Sequence, residues 1–110
     1  MKVSKELLKG TTSTMVLKVI SEKDMYGYQI IQEIASRSND MFKLNEGTLY
    51  PILHTMLKEG MLECYKKDSE LGRERKYYRI TTVGKAILVT KMEEWTAFFS
   101  AVNGVLQEDV

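Results

Sequence analysis

The residues best suited to polar chemistry lie between positions 45 and 58, along one side of a predicted helix. The set is compact and nearly uncharged, and its members are Asn45, Gly47, Thr48, Tyr50, His54, Thr55 and Lys58. Hydroxyl and imidazole groups donate and accept hydrogen bonds, as the edges of nucleic-acid bases do. Small residues at a helix start also leave backbone N–H groups free to attract a phosphate. We therefore assign Thr48, His54 and Thr55 to base contacts, and the remaining Tyr50 and Lys58 side chains to phosphates.

A second cluster, rich in positive charge, follows at residues 65–79. Its cations are Lys66, Lys67, Arg73, Arg75, Lys76 and Arg79, and its acids are Asp68, Glu70 and Glu74. The whole chain has a net charge of only +1, so composition alone does not indicate a polyanionic partner. A run of charges is also the usual composition of a solvated surface, and its position in the fold therefore decides its meaning. All of these cations except Arg79 are candidate phosphate contacts.

No arrangement of residues in the sequence indicates catalysis. His54 is the one histidine, and neither a nucleophile with its base nor a glycine-rich phosphate loop accompanies it. Cys64 is the one cysteine, so an internal disulfide and a zinc site are both excluded, and no metal or cofactor is expected. A single cysteine fits a reducing cytoplasm, and no apolar run approaches the roughly 20 residues of a membrane span. The sequence thus predicts a cytoplasmic protein that is not an enzyme.

The helices that must position these clusters follow from hydrophobic periodicity. With 110 residues, the chain is long enough for one domain with a thin core. Apolar residues at helical spacing predict helices over residues 5–22 and 28–36. A third helix begins after Asn45, a good N-cap, and ends at Gly60. Its apolar face, opposite the hydrogen-bonding residues, comprises Leu49, Ile52, Leu53, Met56 and Leu57.

A β-hairpin follows the third helix. Its strands are predicted at residues 61–67 and 76–81, and the polar connection between them contains Gly72. The basic cluster therefore lies at the tip of the hairpin. A last helix, capped by Thr81 or Thr82, follows it.

The predicted fold class is mainly α with a small β-hairpin. It is a winged helix-turn-helix over residues 1–82 with a long C-terminal dimerisation helix over residues 83–110, joined in a single compact unit. In a winged helix the third helix fits the major groove of DNA, and the hairpin reaches the adjoining backbone. Both polar clusters would then meet the same nucleic acid.

The last helix carries an apolar seam that the thin core cannot cover. Apolar residues recur there at spacings of four and three, and they are Leu88, Met92, Trp95, Phe99, Val102 and Leu106. This is the repeat of a coiled coil, in which a partner helix covers the seam. We therefore expect a homodimer joined along this helix.

Several segments together resemble the PadR-like family of bacterial transcriptional regulators. They are residues 26–30 (YGYQI), 47–53 (GTLYPIL), 58–62 (KEGML), 72–81 (GRERKYYRIT) and Gly84. The motifs are specific because helix and hairpin signatures occur together at the right separation, and the resemblance covers about residues 7–90. It implies a winged-helix homodimer that represses transcription by binding two half-sites of a roughly palindromic operator in double-stranded DNA.

The short chain resembles the compact subgroup of that family, whose members dimerise through the last helix and the first. This resemblance adds Leu8 to the expected dimer interface. Residues 93–95 (EEW) are similar to the segment that, in a multidrug-responsive lactococcal repressor, places a tryptophan in a pore between the subunits, where planar aromatic drugs stack. It therefore implies a site for a flat aromatic or hydrophobic molecule, lined by Met15, Met92, Glu93, Trp95, Phe98 and Phe99.

Two alternatives stay open. An aromatic stripe at helical spacing is usually core, so Trp95 either lines such a pore or only packs in the dimer interface. The near-neutral charge also leaves open a winged-helix protein-interaction module that binds neither DNA nor a ligand.

Overall fold

Four helices and three strands make up residues 10–107, the part of the chain that the computed structural model describes. They are α1 (Thr11–Glu22), β1 (Met25–Tyr26), α2 (Gly27–Arg37), α3 (Glu46–Lys58), β2 (Leu62–Asp68), β3 (Glu74–Ile80) and α4 (Thr82–Leu106). The predicted class, a mainly α winged helix with a small hairpin and a long last helix, is confirmed. Residues 5–9 of the predicted first helix lie outside the described residues.

The sheet has one strand more than the predicted hairpin. Within residues 10–107 its order is β1-β3-β2, and both neighbouring pairs are antiparallel. β2 and β3 form the hairpin, which we call the wing, and β1 adds Met25 and Tyr26 opposite Tyr78 and Tyr77. The periodicity missed β1 because two residues are too few to show the alternation that identifies a strand. This short strand joins the start of α2 to the wing.

α3 begins and ends where its terminal residues predict. The Asn45 Oδ1 accepts a hydrogen bond from the Thr48 N–H at 2.9 Å, which caps the helix. Gly60 follows the last turn with a φ of 76°, a left-handed conformation that glycine adopts without strain. The predicted apolar face packs into the core, with Leu49, Leu53 and Met56 buried and Ile52 and Leu57 partly buried.

The first turn of α4 is fixed to the base of the wing. Thr81, rather than Thr82, caps the helix, because its hydroxyl accepts from the Gly84 N–H at 3.0 Å and donates to the Gly60 carbonyl at 2.6 Å. A Cβ on Gly84 would lie 2.2 Å from the Met61 carbonyl oxygen, so a larger residue has no room there. Backbone contacts therefore set the direction in which α4 leaves the domain.

Beyond Leu88, α4 projects away from the core. Leu88 is buried, whereas every residue from 89 to 107 is exposed. The helix has 25 residues and is therefore about 37 Å long. The molecule measures 57 × 30 × 21 Å, and its radius of gyration of 15.6 Å exceeds the roughly 13 Å of a compact chain of this length. The apolar residues of this projecting segment have no cover within the described chain.

Candidate nucleic-acid interface

The outer face of α3 presents all of the hydrogen-bonding residues identified in the sequence. Asn45, Gly47, Thr48, Tyr50, His54, Thr55 and Lys58 are exposed. Burial of Leu49 and Leu53 on the opposite face fixes which side of the helix points outward. The outward side is uncharged until Lys58, so it can approach base edges closely and exchange hydrogen bonds with them.

Tyr50 leans over the start of α2. Its hydroxyl oxygen lies 2.7 Å from the position that a Cβ would take on Gly27. The missing side chain at Gly27 therefore makes room for the ring, a relation that the sequence analysis did not foresee. Tyr50 stays 45% exposed as a residue, although its hydroxyl lies against the first turn of α2. Its assignment to a phosphate remains a prediction.

The wing carries most of its positive charge in two neighbouring pairs of cations, one pair on each face of the hairpin. Lys66 lies directly opposite Lys76 in the strand register, and Lys67 lies opposite Arg75. Like charges that face each other across two strands destabilise a sheet. Among residues 10–107, none of these four cations forms an ion pair with a carboxylate. We call these four residues the cation band.

The tip of the wing is less basic than expected. Asp68 and Glu74 oppose each other in the last pair of the hairpin, and the connection beyond them holds Glu70 and Arg73. The chain turns at Gly72, whose φ is 77°. The tip therefore contributes one exposed cation, Arg73, to the predicted contacts, and the cation band contributes the other four.

A row of three tyrosines crosses the wing on the side opposite the core, and the sequence analysis missed it. Tyr26, Tyr77 and Tyr65 come from β1, β3 and β2 and are direct partners in the strand register. The ring centroids of Tyr26 and Tyr77 are 5.4 Å apart, edge to face, and those of Tyr65 and Tyr77 are 5.8 Å apart and stacked. Such aromatic pairs add about 0.5–1.5 kcal/mol to the effect of burial. We call this set the tyrosine row.

Two members of the cation band lie over rings of the tyrosine row. The Lys67 Nζ is 4.7 Å from the centroid of Tyr77, and the Arg75 Cζ is 5.1 Å from that of Tyr26. The ring quadrupole attracts a cation held over its face. The Arg75 Nε is shielded from water and has no hydrogen-bond partner among the described residues. The tyrosine row thus limits the positions that these two cations take.

Arg79 belongs to the local excess of basic residues, but carboxylates neutralise it within the fold. Its guanidinium lies 4.7 Å from the Tyr65 centroid, and its Nε donates to Asp24 Oδ2 at 3.2 Å. Its Nη1 is 3.5 Å from Glu63 Oε1. The Tyr65 hydroxyl donates to the same Asp24 oxygen at 2.5 Å, and this hydrogen bond raises the pKa of Tyr65. Arg79 therefore stabilises the wing rather than adding to its free positive charge.

The projecting part of α4 exposes most of the residues assigned to dimerisation and ligand binding. Trp95 is 47% exposed and Phe99 55%, and their rings stack with centroids 5.7 Å apart. The same segment exposes Met92, Glu93, Phe98, Val102 and Leu106.

Three residues assigned to these sites lie elsewhere. Leu88 is buried in the core of the single chain, so little of its surface is left for a partner. Met15 lies on α1 and packs, partly buried, against the core. Leu8 lies outside the described residues.

The described residues form neither a membrane span nor a metal-binding cluster. No helix within residues 10–107 is long and apolar enough to cross a bilayer. No group of three or more potential metal ligands comes together in that range. Cys64 is a free, exposed thiol on β2, and His54 is exposed on α3.

Comparison with known proteins assigns a family to this fold. Residues 16–90 match the model of the transcriptional regulator PadR-like family. An uncharacterized protein of Lysinibacillus sphaericus is 42% identical over 93 residues, which cover 84% of this chain and 85% of that protein. The transcriptional regulator Rv3488 of Mycobacterium tuberculosis is 27% identical over 84 residues, covering 76% of this chain and 75% of that one.

A solved structure matches the fold over nearly the whole chain. The PadR-like transcriptional regulator BC4206 of Bacillus cereus has a TM-score of 0.85 at 33% identity, covering 96% of this chain and 100% of that one. The family match includes α3 and the wing, the elements that carry both polar clusters. The chain belongs to the PadR-like family of transcriptional regulators, and it is a regulator rather than an enzyme.

Proposed function

We propose that this regulator is a homodimeric repressor that binds a roughly palindromic operator in double-stranded DNA. In each half-site α3 enters the major groove and the wing rests on the adjoining phosphates. The observation that carries the proposal is the cation band, in which Lys66 faces Lys76 and Lys67 faces Arg75. These like charges repel one another in the free protein. The two pairs point to opposite faces of the wing, because successive strand residues alternate, and phosphates that bind either face relieve the repulsion within its pair.

The two polar clusters have different roles in DNA recognition. Hydrogen bonds to base edges distinguish sequences, whereas contacts with phosphates supply affinity and register. Thr48, His54 and Thr55 are small or medium-sized side chains on the exposed face of α3, which suits base contacts. Tyr50 and Lys58 lie on the same helix and suit the phosphates at the groove edge. Asn45 and Gly47 keep the helix start capped and open to close approach.

The projecting part of α4 supports the homodimer. Its exposed apolar residues at coiled-coil spacing are Met92, Trp95, Phe99, Val102 and Leu106. A second copy of the chain carries the same seam, so a two-fold dimer buries both seams at once. Such a dimer would present two copies of α3 to half-sites about 34 Å apart, one turn of DNA. We also propose that the protein acts in the cytoplasm, where the DNA of a bacterial cell lies.

A second proposed role, release of the operator by a small molecule, follows from the aromatic part of α4. The Trp95 and Phe99 rings are half exposed and already stacked, and they offer a flat apolar surface. Phe98 is exposed on the same helix and extends the ring surface for a planar aromatic cation. Glu93 is exposed about 200° around the helix from Trp95, so its carboxylate would attract the cation only at longer range. We propose that Met15 on α1 forms one wall of this ligand site. The ligand shifts DNA binding only if it prefers a dimer whose α3 spacing does not fit the operator.

Binding to DNA from the protein's own promoter region tests the main proposal. We expect the dimer to bind this DNA with an affinity that falls steeply as salt rises, because phosphate contacts release counterions. We also expect a reporter driven by the same promoter to be more active in cells that lack the protein. A folded dimer that binds no duplex even at low salt would favour the protein-interaction module. A reporter that loses activity without the protein would replace repression by activation.

The fluorescence of Trp95 tests the ligand proposal, because it is the only tryptophan in the chain. We expect a planar aromatic cation such as proflavine to quench this emission in the absence of DNA, since stacking brings the two ring systems into contact. A non-planar cation of similar size is the control and should leave the emission unchanged. If proflavine leaves it unchanged as well, the ligand site is excluded and Trp95 serves packing alone.

A further inference from the structure

The tyrosine row is not used by the function proposed above, yet it connects three parts of the fold. Tyr26 lies in β1 and directly precedes α2, and its N–H donates to the Gln29 side chain at 3.2 Å. Tyr65 is bound through its hydroxyl to Asp24, in the connection between α1 and β1. Tyr77 lies between them and is only 6% exposed, although it faces away from the core. Its neighbours on the wing must therefore cover it.

The covering side chains include cations of the band. Lys67 and Arg75 face each other in register, but each lies over a different ring, Tyr77 and Tyr26 respectively. A long cationic side chain normally loses rotational freedom when it binds a phosphate, and this loss weakens binding. A cation already held over a ring has lost much of that freedom in the free protein. The row therefore prepares these two side chains for an anionic partner.

We propose that Tyr77, with Tyr26 and Tyr65 beside it, is a positioning residue for DNA binding. The tyrosine row holds Lys67 and Arg75 in the orientations in which they meet DNA phosphates, and Tyr77 itself does not contact the DNA. The bonds from Asp24 to Tyr65 and Arg79 anchor the far end of the row. This inference rests on the proposed contact between the wing and DNA.

The salt dependence of DNA binding separates a positioning residue from a contacting one. In Tyr77→Leu both cations remain, so the slope of log affinity against log salt should not change, because the slope counts neutralised phosphates. The affinity should fall about fivefold, because the Lys67 side chain is no longer held over a ring and must be ordered on binding. Lys67→Ala, by contrast, should reduce the slope by about 0.9. Tyr77→Phe keeps the ring and should bind like the unaltered protein.

A double-mutant cycle then tests whether Tyr77 acts through the cations. Tyr77→Leu should change the affinity little when Lys67→Ala and Arg75→Ala are already present. An equal loss in both backgrounds overturns the proposal, and so does a Tyr77→Phe variant as weak as Tyr77→Leu. Circular dichroism at the assay temperature checks that each variant is folded. If Tyr77→Leu does not fold, a double-mutant cycle of Tyr26→Leu with Arg75→Ala replaces it. This cycle measures whether the ring under Arg75 affects DNA affinity through that cation.

The outcomes also distinguish this inference from the function on which it rests. If Lys67→Ala and Arg75→Ala leave the salt slope unchanged, the wing does not contact DNA through these residues, and both proposals fail there. If those variants reduce the slope while folded Tyr77→Leu binds like the unaltered protein, the positioning role alone is overturned.

Discussion

The double variant Lys66→Gln/Lys76→Gln is expected to bind DNA about 60-fold more weakly at 0.1 M salt, while the free protein becomes more stable. Loss of two phosphate contacts should reduce the slope of log affinity against log salt by about 1.8. At 1 M salt the charge contacts are largely screened, so the variant and the unaltered protein should bind with similar affinity. A slope difference of about 1.8 over the tenfold range down to 0.1 M then gives the roughly 60-fold difference in affinity. Removing the opposed charges should stabilise the wing by about 0.2–1 kcal/mol. Fluorescence anisotropy of a labelled duplex measures the affinity, and urea denaturation measures the stability.

A matched control for this variant is Lys85→Gln/Lys91→Gln. Both lysines are exposed on α4 and lie outside the cation band, so the pair makes the same change in net charge without altering the band. The salt slope should stay at the unaltered value. An equal loss of DNA affinity in the two double variants would mean that net charge, not the cation band, controls DNA binding. A wing variant that is less stable as well as weaker would point to damage of the fold.

Phe99→Asp is expected to produce a folded monomer that binds a duplex with two half-sites about 10²- to 10⁴-fold more weakly. A carboxylate in the seam would be buried unpaired against its own copy across the two-fold axis, which strongly disfavours the dimer. The single chain should keep its structure, because Phe99 is half exposed and lies beyond the core. DNA binding weakens because each monomer must find its half-site independently. Sedimentation velocity measures the mass, and circular dichroism measures the fold.

Ala97→Asp is the control for the dimer prediction, because Ala97 is exposed on the side of α4 turned away from the seam. This variant should remain dimeric and keep its affinity for DNA. A Phe99→Asp protein that is still a dimer would show that the two copies meet elsewhere. A monomer with unchanged affinity would refute the two-half-site arrangement while leaving DNA binding itself in place.

The parts of this molecule that could be predicted from the sequence are those with local signals. α3 can be predicted almost residue by residue, since the Asn45 cap, the spacing of its apolar residues and Gly60 all lie within one segment. The same spacing assigned the outward face that carries Thr48 and His54. The capped start and the length of α4 follow in the same way from the two threonines at 81 and 82, of which the structure selects Thr81, and from the periodic residues after them.

The parts that could not be predicted depend on residues far apart in the chain. Arg79 is separated by 55 positions from Asp24, which neutralises it, so no window of sequence reveals the pairing. The tyrosine row needs Tyr26 to join a strand of the wing, and a two-residue strand leaves no pattern. The cation band depends on the register of the hairpin, which a long connection does not specify. Leu88 has the spacing of the apolar seam in the sequence, but in the folded chain it packs into the core. The sequence does not show where along α4 the core ends.

The locked junction at the start of α4 has a mechanical consequence. Because the Gly84 backbone lies against the Met61 carbonyl and Thr81 bridges to Gly60, the helix cannot pivot independently of the wing. α4 therefore behaves as a lever arm about 37 Å long, rigidly attached to the domain that it carries. In the proposed dimer the two α4 helices cross near their C-terminal ends. A small change in their crossing angle would therefore rotate each domain as a rigid body. The distance between the two copies of α3 would then change without any change in the structure of either domain.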